Sequence, residues 1–108
     1  MKRYHVLLTE DAELDLIDIY RYIARQDSVQ NADYVVDELE SLCSQLSELP
    51  DRGHVPAELD RIGVKNYREV NFKPYRVIYE VIGQDVYIHG ILDGRRDMQS
   101  LLQRRLIR

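Results

Sequence analysis

A change of hydrophobic period near Val64 constrains this chain more than any other feature. Before it, apolar residues recur every three or four positions; after it, they alternate. At about 100° per residue, Ala12, Leu16, Ile17, Tyr20, Ile23 and Ala24 gather on one side of a helix. Asp11, Asp15, Asp18 and Arg25 gather on the other. Thr9 stands where an N-cap belongs, with Glu10, Asp11 and Glu13 behind it, and the helix runs to about Arg25. Leu14 and Tyr22 fall on the charged side, which makes them candidates for a docking surface. A second helix is predicted from about Ser28 to Leu49, with Ala32, Val35, Leu39, Leu42, Cys43, Leu46 and Leu49 as its apolar stripe. Pro50 and Gly53 stop it. The short link at Gln26-Asp27 folds the two helices into an antiparallel hairpin. Cys43, inside the apolar stripe, reads as a packed core thiol.

Four strands are predicted: Tyr4–Leu8, Tyr67–Phe72, Arg76–Ile82 and Asp85–Leu92, the last pair joined by a tight turn at Gly83-Gln84. In the third strand Val77, Tyr79 and Val81 share one face, and Arg76, Ile78, Glu80 and Ile82 share the other. Both faces carry apolar residues, so both need cover. The helical hairpin supplies one; the C-terminal segment or a partner supplies the other. Met98, Leu101, Leu102 and Leu106 have the spacing of a short final helix or packing strip. The order β-α-α-β-β-β makes an α+β domain, a helical hairpin on a small, mainly antiparallel sheet.

At 108 residues, the chain holds one domain, 1–108, with one modest core. No apolar run exceeds three residues, which leaves no membrane span or signal-peptide core. A lone cysteine and the absence of metal-ligand spacing point to a metal-free cytoplasmic protein that needs no cofactor. The formal charge of −4 conceals an asymmetry: residues 1–60 carry 14 acidic and 5 basic side chains, residues 61–108 carry 5 and 10. Such a chain can offer an acidic face to one partner and a basic face to another.

Several segments carry a resemblance: Tyr67-Arg68-Glu69-Val70-Asn71-Phe72, Tyr75-Arg76-Val77-Ile78-Tyr79-Glu80-Val81, and Gly94-Arg95-Arg96-Asp97. With the element order and the first helix (Ala12, Leu14, Asp15, Ile19, Tyr22, Ile23), they resemble the RelE/ParE superfamily of type II toxins, closest to its ParE-like members. The resemblance covers nearly the whole chain. It implies a cognate antitoxin that wraps around the toxin in a hetero-oligomer. It leaves two activities open, ribosome-dependent cleavage of mRNA or poisoning of DNA gyrase.

Cleavage by 2′-hydroxyl attack needs proton donors and acceptors as well as cations. By position Arg68, Arg76 and Arg96 match cationic sites of the RelE-type enzymes, but Val70 replaces a further basic residue. No His or Tyr follows His89, and Leu101-Leu102 stand where a terminal acid or base would lie. Arginine stays protonated and is a poor proton shuttle. His89, on the strand face shared with Tyr87 and Ile91, is the remaining nuclease candidate. His5 and His54 show no partners in the sequence. The sequence pI near 5.3 also speaks against a surface built for ribosomal RNA.

The leading expectation is therefore a ParE-like gyrase inhibitor. The alternatives are an mRNA endoribonuclease and an antitoxin-binding regulator without toxicity. Arg95, Arg96, Arg104 and Arg105, with Arg108, are the expected target-binding cations. Leu14, Tyr22, Ile78 and Ile82 are the expected antitoxin surface. Arg76 is expected either to act or to pair with Glu80 or Glu69.

Overall fold

The computed structural model describes residues 3–107. β1 (His5–Leu8) leads into α1 (Glu10–Gln26) and α2 (Val29–Gln45). A short helix, α3 (Ala57–Asp60), precedes β2 (Tyr67–Phe72), β3 (Tyr75–Ile82) and β4 (Asp85–Asp93), and α4 (Met98–Leu106) ends the described chain. Capping sets three of the helix starts. The side chains of Thr9, Ser28 and Asp97 accept the amides of Ala12, Asn31 and Ser100 at 3.2, 3.0 and 3.3 Å. α2 ends at Gln45, earlier than its apolar period suggested, and Leu49 is exposed in the turns that follow.

The strand order is β1-β4-β3-β2; β1 runs parallel to β4, and the other pairs are antiparallel. The helical hairpin covers one face, where Ala12, Ile23, Ala32, Val35 and Leu39 pack against Val70, Val77, Tyr79, Val86, Ile88 and Ile91. On the other face Met98, Leu101 and Leu102 of α4 and Leu59 of α3 cover Ile78 and Leu92. The chain thus supplies its own cover for much of the second face. α3, only four residues long, is too short to show a helical period in the sequence.

One irregularity resets the pattern. In the β3–β4 ladder Tyr79 faces Ile88 and Ile78 faces Gly90, which leaves His89 as the extra residue of a bulge. Strict alternation would place His89 with Ile91. The bulge instead puts Ile91 with Ile88 in the hairpin-side core, and leaves His89 beside Tyr87 on the opposite face.

Tyr79 fixes the loop between α2 and α3. Its buried hydroxyl donates to the Pro50 carbonyl at 2.6 Å and accepts the Gly53 amide at 3.1 Å. A Cβ on Gly53 would stand 2.5 Å from the Glu69 carbonyl oxygen, so only glycine allows this approach. Leu102 is fully buried between α4 and the sheet. Leu102→Ala is expected to cost about 2–5 kcal/mol, read as a lower midpoint in urea unfolding.

Candidate functional site

The three arginines expected to serve a nuclease do not converge. Arg68 lies on the hairpin side of β2, opposite Tyr79, and donates to the Gly53 carbonyl at 2.7 Å. Arg76 lies on the other side of the sheet, in register with Asn71. Its guanidinium holds Glu58 of α3 through two bonds of 2.8 and 2.7 Å, and also binds Glu69 of β2. The partner named from sequence, Glu69, is correct; Glu58 was hidden in a helix the sequence did not reveal. Glu69 is buried and also lies 3.4 Å from His54 Nε2. Arg76 therefore bridges two carboxylates and is not presented to a phosphate.

His89 stands apart from this network. Its Nε2 is 3.0 Å from Glu80 Oε1, and its ring packs edge-on against Tyr67 at 5.5 Å between centroids. Glu80 lies four residues along β3 from Arg76, about 13 Å at strand rise. His5 also has a partner, Asp85, at 3.3 Å.

The C-terminal arginines divide into engaged and free. Arg95 reaches back to Asp93 through two side-chain bonds of 3.0 and 2.7 Å, which hold the Asp93 carboxyl below its usual range. Arg105 is mostly buried and binds Asp15 of α1 at 2.9 and 3.2 Å. It is a structural cation, which corrects its expected place in a target-binding set. Arg96 and Arg104 are exposed, and their guanidinium groups make no hydrogen bond or ion pair with another described residue. Arg108 lies outside the described residues.

The expected antitoxin surface is reshaped in a similar way. Leu14, Tyr22 and Ile82 are 50%, 62% and 54% exposed. Ile78 is fully buried beneath α3 and α4, which removes it from any surface a partner could reach. The sequence missed Leu7 and Ile17, both exposed and lining one hollow between β1 and the hairpin. Ile17 was read as a core residue because it sits at the edge of the apolar arc. Cys43 is buried, and burial followed by the charge of Glu40 pushes its thiol up to about 12, which makes it inert. Among the described residues no cluster of acidic, His or Cys side chains could hold a metal ion, and no helix is long and apolar enough to cross a membrane.

The Arg76 network yields two expectations. Arg76→Ala leaves buried Glu69 uncompensated, and the loss of one partner of such a pair costs about 3–5 kcal/mol. The variant should lose its near-ultraviolet circular dichroism, a fold defect and not a selective loss of activity. The hydrogen bond from Arg76 holds Glu58 down at about 2, below its ordinary 4.5. A carboxylate depressed in the folded state stabilises above its unfolded pKa, and that contribution disappears as pH falls from about 4.5 towards 2. Denaturant midpoints measured across that window should fall in the parent and fall less steeply in Glu58→Gln.

Comparison with known proteins agrees with this geometry. Residues 6–98 match the family described as ParE toxin of type II toxin-antitoxin system, parDE. Toxin ParE3 of Caulobacter vibrioides is 31% identical over 97 residues, which is 90% of this chain and 93% of that protein. A solved structure, the chromosomal ParDE TA system from P. aeruginosa, superposes with a TM-score of 0.71 at 20% identity, covering 84% of this chain and 96% of that one. The chain belongs to the ParE toxin family of type II toxin–antitoxin systems.

Proposed function

We propose that this ParE-family toxin acts without catalysis, by inhibiting DNA gyrase and with it replication, and that a cognate antitoxin holds it silent in the cytoplasm. One observation carries the choice of mechanism. The cations that an mRNA nuclease would need lie on opposite faces of the sheet, and Arg76 is clamped by Glu58 and Glu69. His89, the only available proton shuttle in the reading from sequence, is paired with Glu80 at a distance from them. A transition state for RNA cleavage would find neither a converging cationic site nor a proton relay.

The arginine turn after β4 is the proposed contact with the target. Gly94 packs close under Arg76, where an added Cβ would lie 2.8 Å from Cδ of that arginine. The Gly94 amide is bound to the Pro74 carbonyl at 2.8 Å. The turn is therefore held against the start of β3, and Arg96 projects from a fixed base, with Arg104 on the neighbouring helix. Inducible expression without antitoxin, with supercoiling and mRNA integrity followed together, tests the reading. Loss of supercoiling with intact mRNA is the expected result; cleaved mRNA indicates the nuclease, and unimpeded growth indicates a regulator without toxicity. Arg95→Ala combined with Arg96→Ala should relieve growth arrest while antitoxin binding persists.

For the antitoxin, the proposed path is an amphipathic segment along the hairpin past Leu14 and Tyr22, continuing towards Ile82 at the open end of the sheet. Loss of one large buried apolar contact costs roughly 1.5–3 kcal/mol, or about 10- to 150-fold in affinity. Tyr22→Asp and Leu14→Asp should each weaken antitoxin binding by at least the lower figure in calorimetric titration. Unchanged affinity in both would move the path off the first helix.

A further inference from the structure

Beside the arginine turn lies a cleft of about 290 Å³ between α1 and the last residues of β4. Its lining combines Ile19 of α1 and Ile91 of β4 with the phenol rings of Tyr22 and Tyr75. β1 pairs with β4 only as far as Ile88, so no strand covers the edge that borders the cleft.

Four charged side chains also line it, and two of these are already satisfied. Asp15 holds Arg105, and Asp93 holds Arg95. The other two are Asp18 on α1 and Arg96 on the turn. Both are exposed, and they form no ion pair with each other or with another described residue. One anion and one cation are thus presented from separate elements into a small, partly apolar hollow. Asp18 has no charged partner among the described residues, and Arg96 acts only through space on Asp93, whose carboxylate is already bonded to Arg95.

We propose that this cleft binds a free α-amino acid with an apolar or aromatic side chain. Its carboxylate meets the Arg96 guanidinium, whose planar fork suits two parallel bonds to a carboxylate. Its ammonium meets Asp18, and its side chain lies against Ile19 and Ile91 near the two phenol rings. Tyr22 and Tyr75 offer hydroxyl groups as well as ring surface. The volume stands at the small end of the range for ligand pockets and suits a single residue-sized molecule better than an ordered peptide. The site needs neither gyrase nor antitoxin. It shares Arg96 with the arginine turn and Tyr22 with the proposed antitoxin path, so an occupant would bear on both.

Titration of the isotope-labelled full chain with L-phenylalanine, followed by the amide signals of Ile91, Leu92 and Asp93, tests this directly. Saturable shifts are expected with a Kd of about 1 mM. N-acetyl-L-phenylalanine lacks the cation and L-phenylalanine amide lacks the anion; each should bind at least about tenfold more weakly. Asp18→Asn and Arg96→Ala should reproduce those losses while keeping the parent spectrum elsewhere, since both side chains are exposed and neither makes a hydrogen bond or ion pair with a described residue. Absence of saturable shifts, or equal binding of either blocked analogue, overturns the proposal whatever the outcome for gyrase or antitoxin.

Discussion

The pair formed by Asp15 and Arg105 holds three layers of the molecule together at the weakest place in its sheet. β1 stops at Leu8, and beyond that point the outer edge of β4 has no neighbouring strand. An open edge leaves backbone groups without partners and invites unwanted strand pairing. Asp15 accepts the Ile91 amide at 2.9 Å, and Arg105 donates to the His89 carbonyl at 3.3 Å. The carboxylate comes from the hairpin layer, the guanidinium from the C-terminal helix, and the two backbone groups from the strand between them. A partly buried ion pair gains little stability by itself. Here it satisfies backbone groups that would otherwise be stranded, and it anchors the last turn of α4.

That anchor determines which residues remain available for function. With α4 held against the sheet, Met98, Leu101 and Leu102 close over Ile78 and Leu92. α3 reaches the same face and presents Glu58 to Arg76. A chain read as having an open second sheet face thus covers much of it with its own C-terminal segment. The uncovered remainder lies towards the Gly83-Gln84 turn, where Ile82 and the His89–Glu80 pair sit.

The elements legible in the sequence were those with several turns or residues of unbroken period. α1, β2 and the start of α2 appeared close to their true limits because apolar spacing and caps agreed, whereas the apolar period carried α2 past its true end at Gln45 to Leu49. The sequence could not reveal the bulge at His89, since a single inserted residue leaves composition and local propensity unchanged while reversing every face beyond it. It could not reveal α3, which forms because Leu59 is buried against α4. The same blindness affected the site. Arg76 and Arg105 look like surface cations in a strand and a terminal helix, and only tertiary contact supplies Glu58 and Asp15. Leu14 and Tyr22 were legible because the opposite side of α1 is so plainly apolar.

The charge asymmetry acquires a different meaning in this light. An acidic first half and a basic second half suggest two faces for two partners. Much of that opposition is resolved inside the fold: Arg105 binds Asp15, Arg76 binds Glu58, and Lys65 binds Asp60, each pair joining a base after residue 60 to an acid at or before it. Complementary charge placed far apart in the chain draws the C-terminal helix to the first helix and β3 to the α3 segment. What remains for recognition is the residue of this internal pairing. Arg96 and Arg104 make no hydrogen bond or ion pair with a described residue, near a turn whose other arginine is already bound to Asp93. Two exposed cations, one on a fixed turn and one on the neighbouring helix, can specify a contact, whereas a broadly basic surface would have favoured any polyanion.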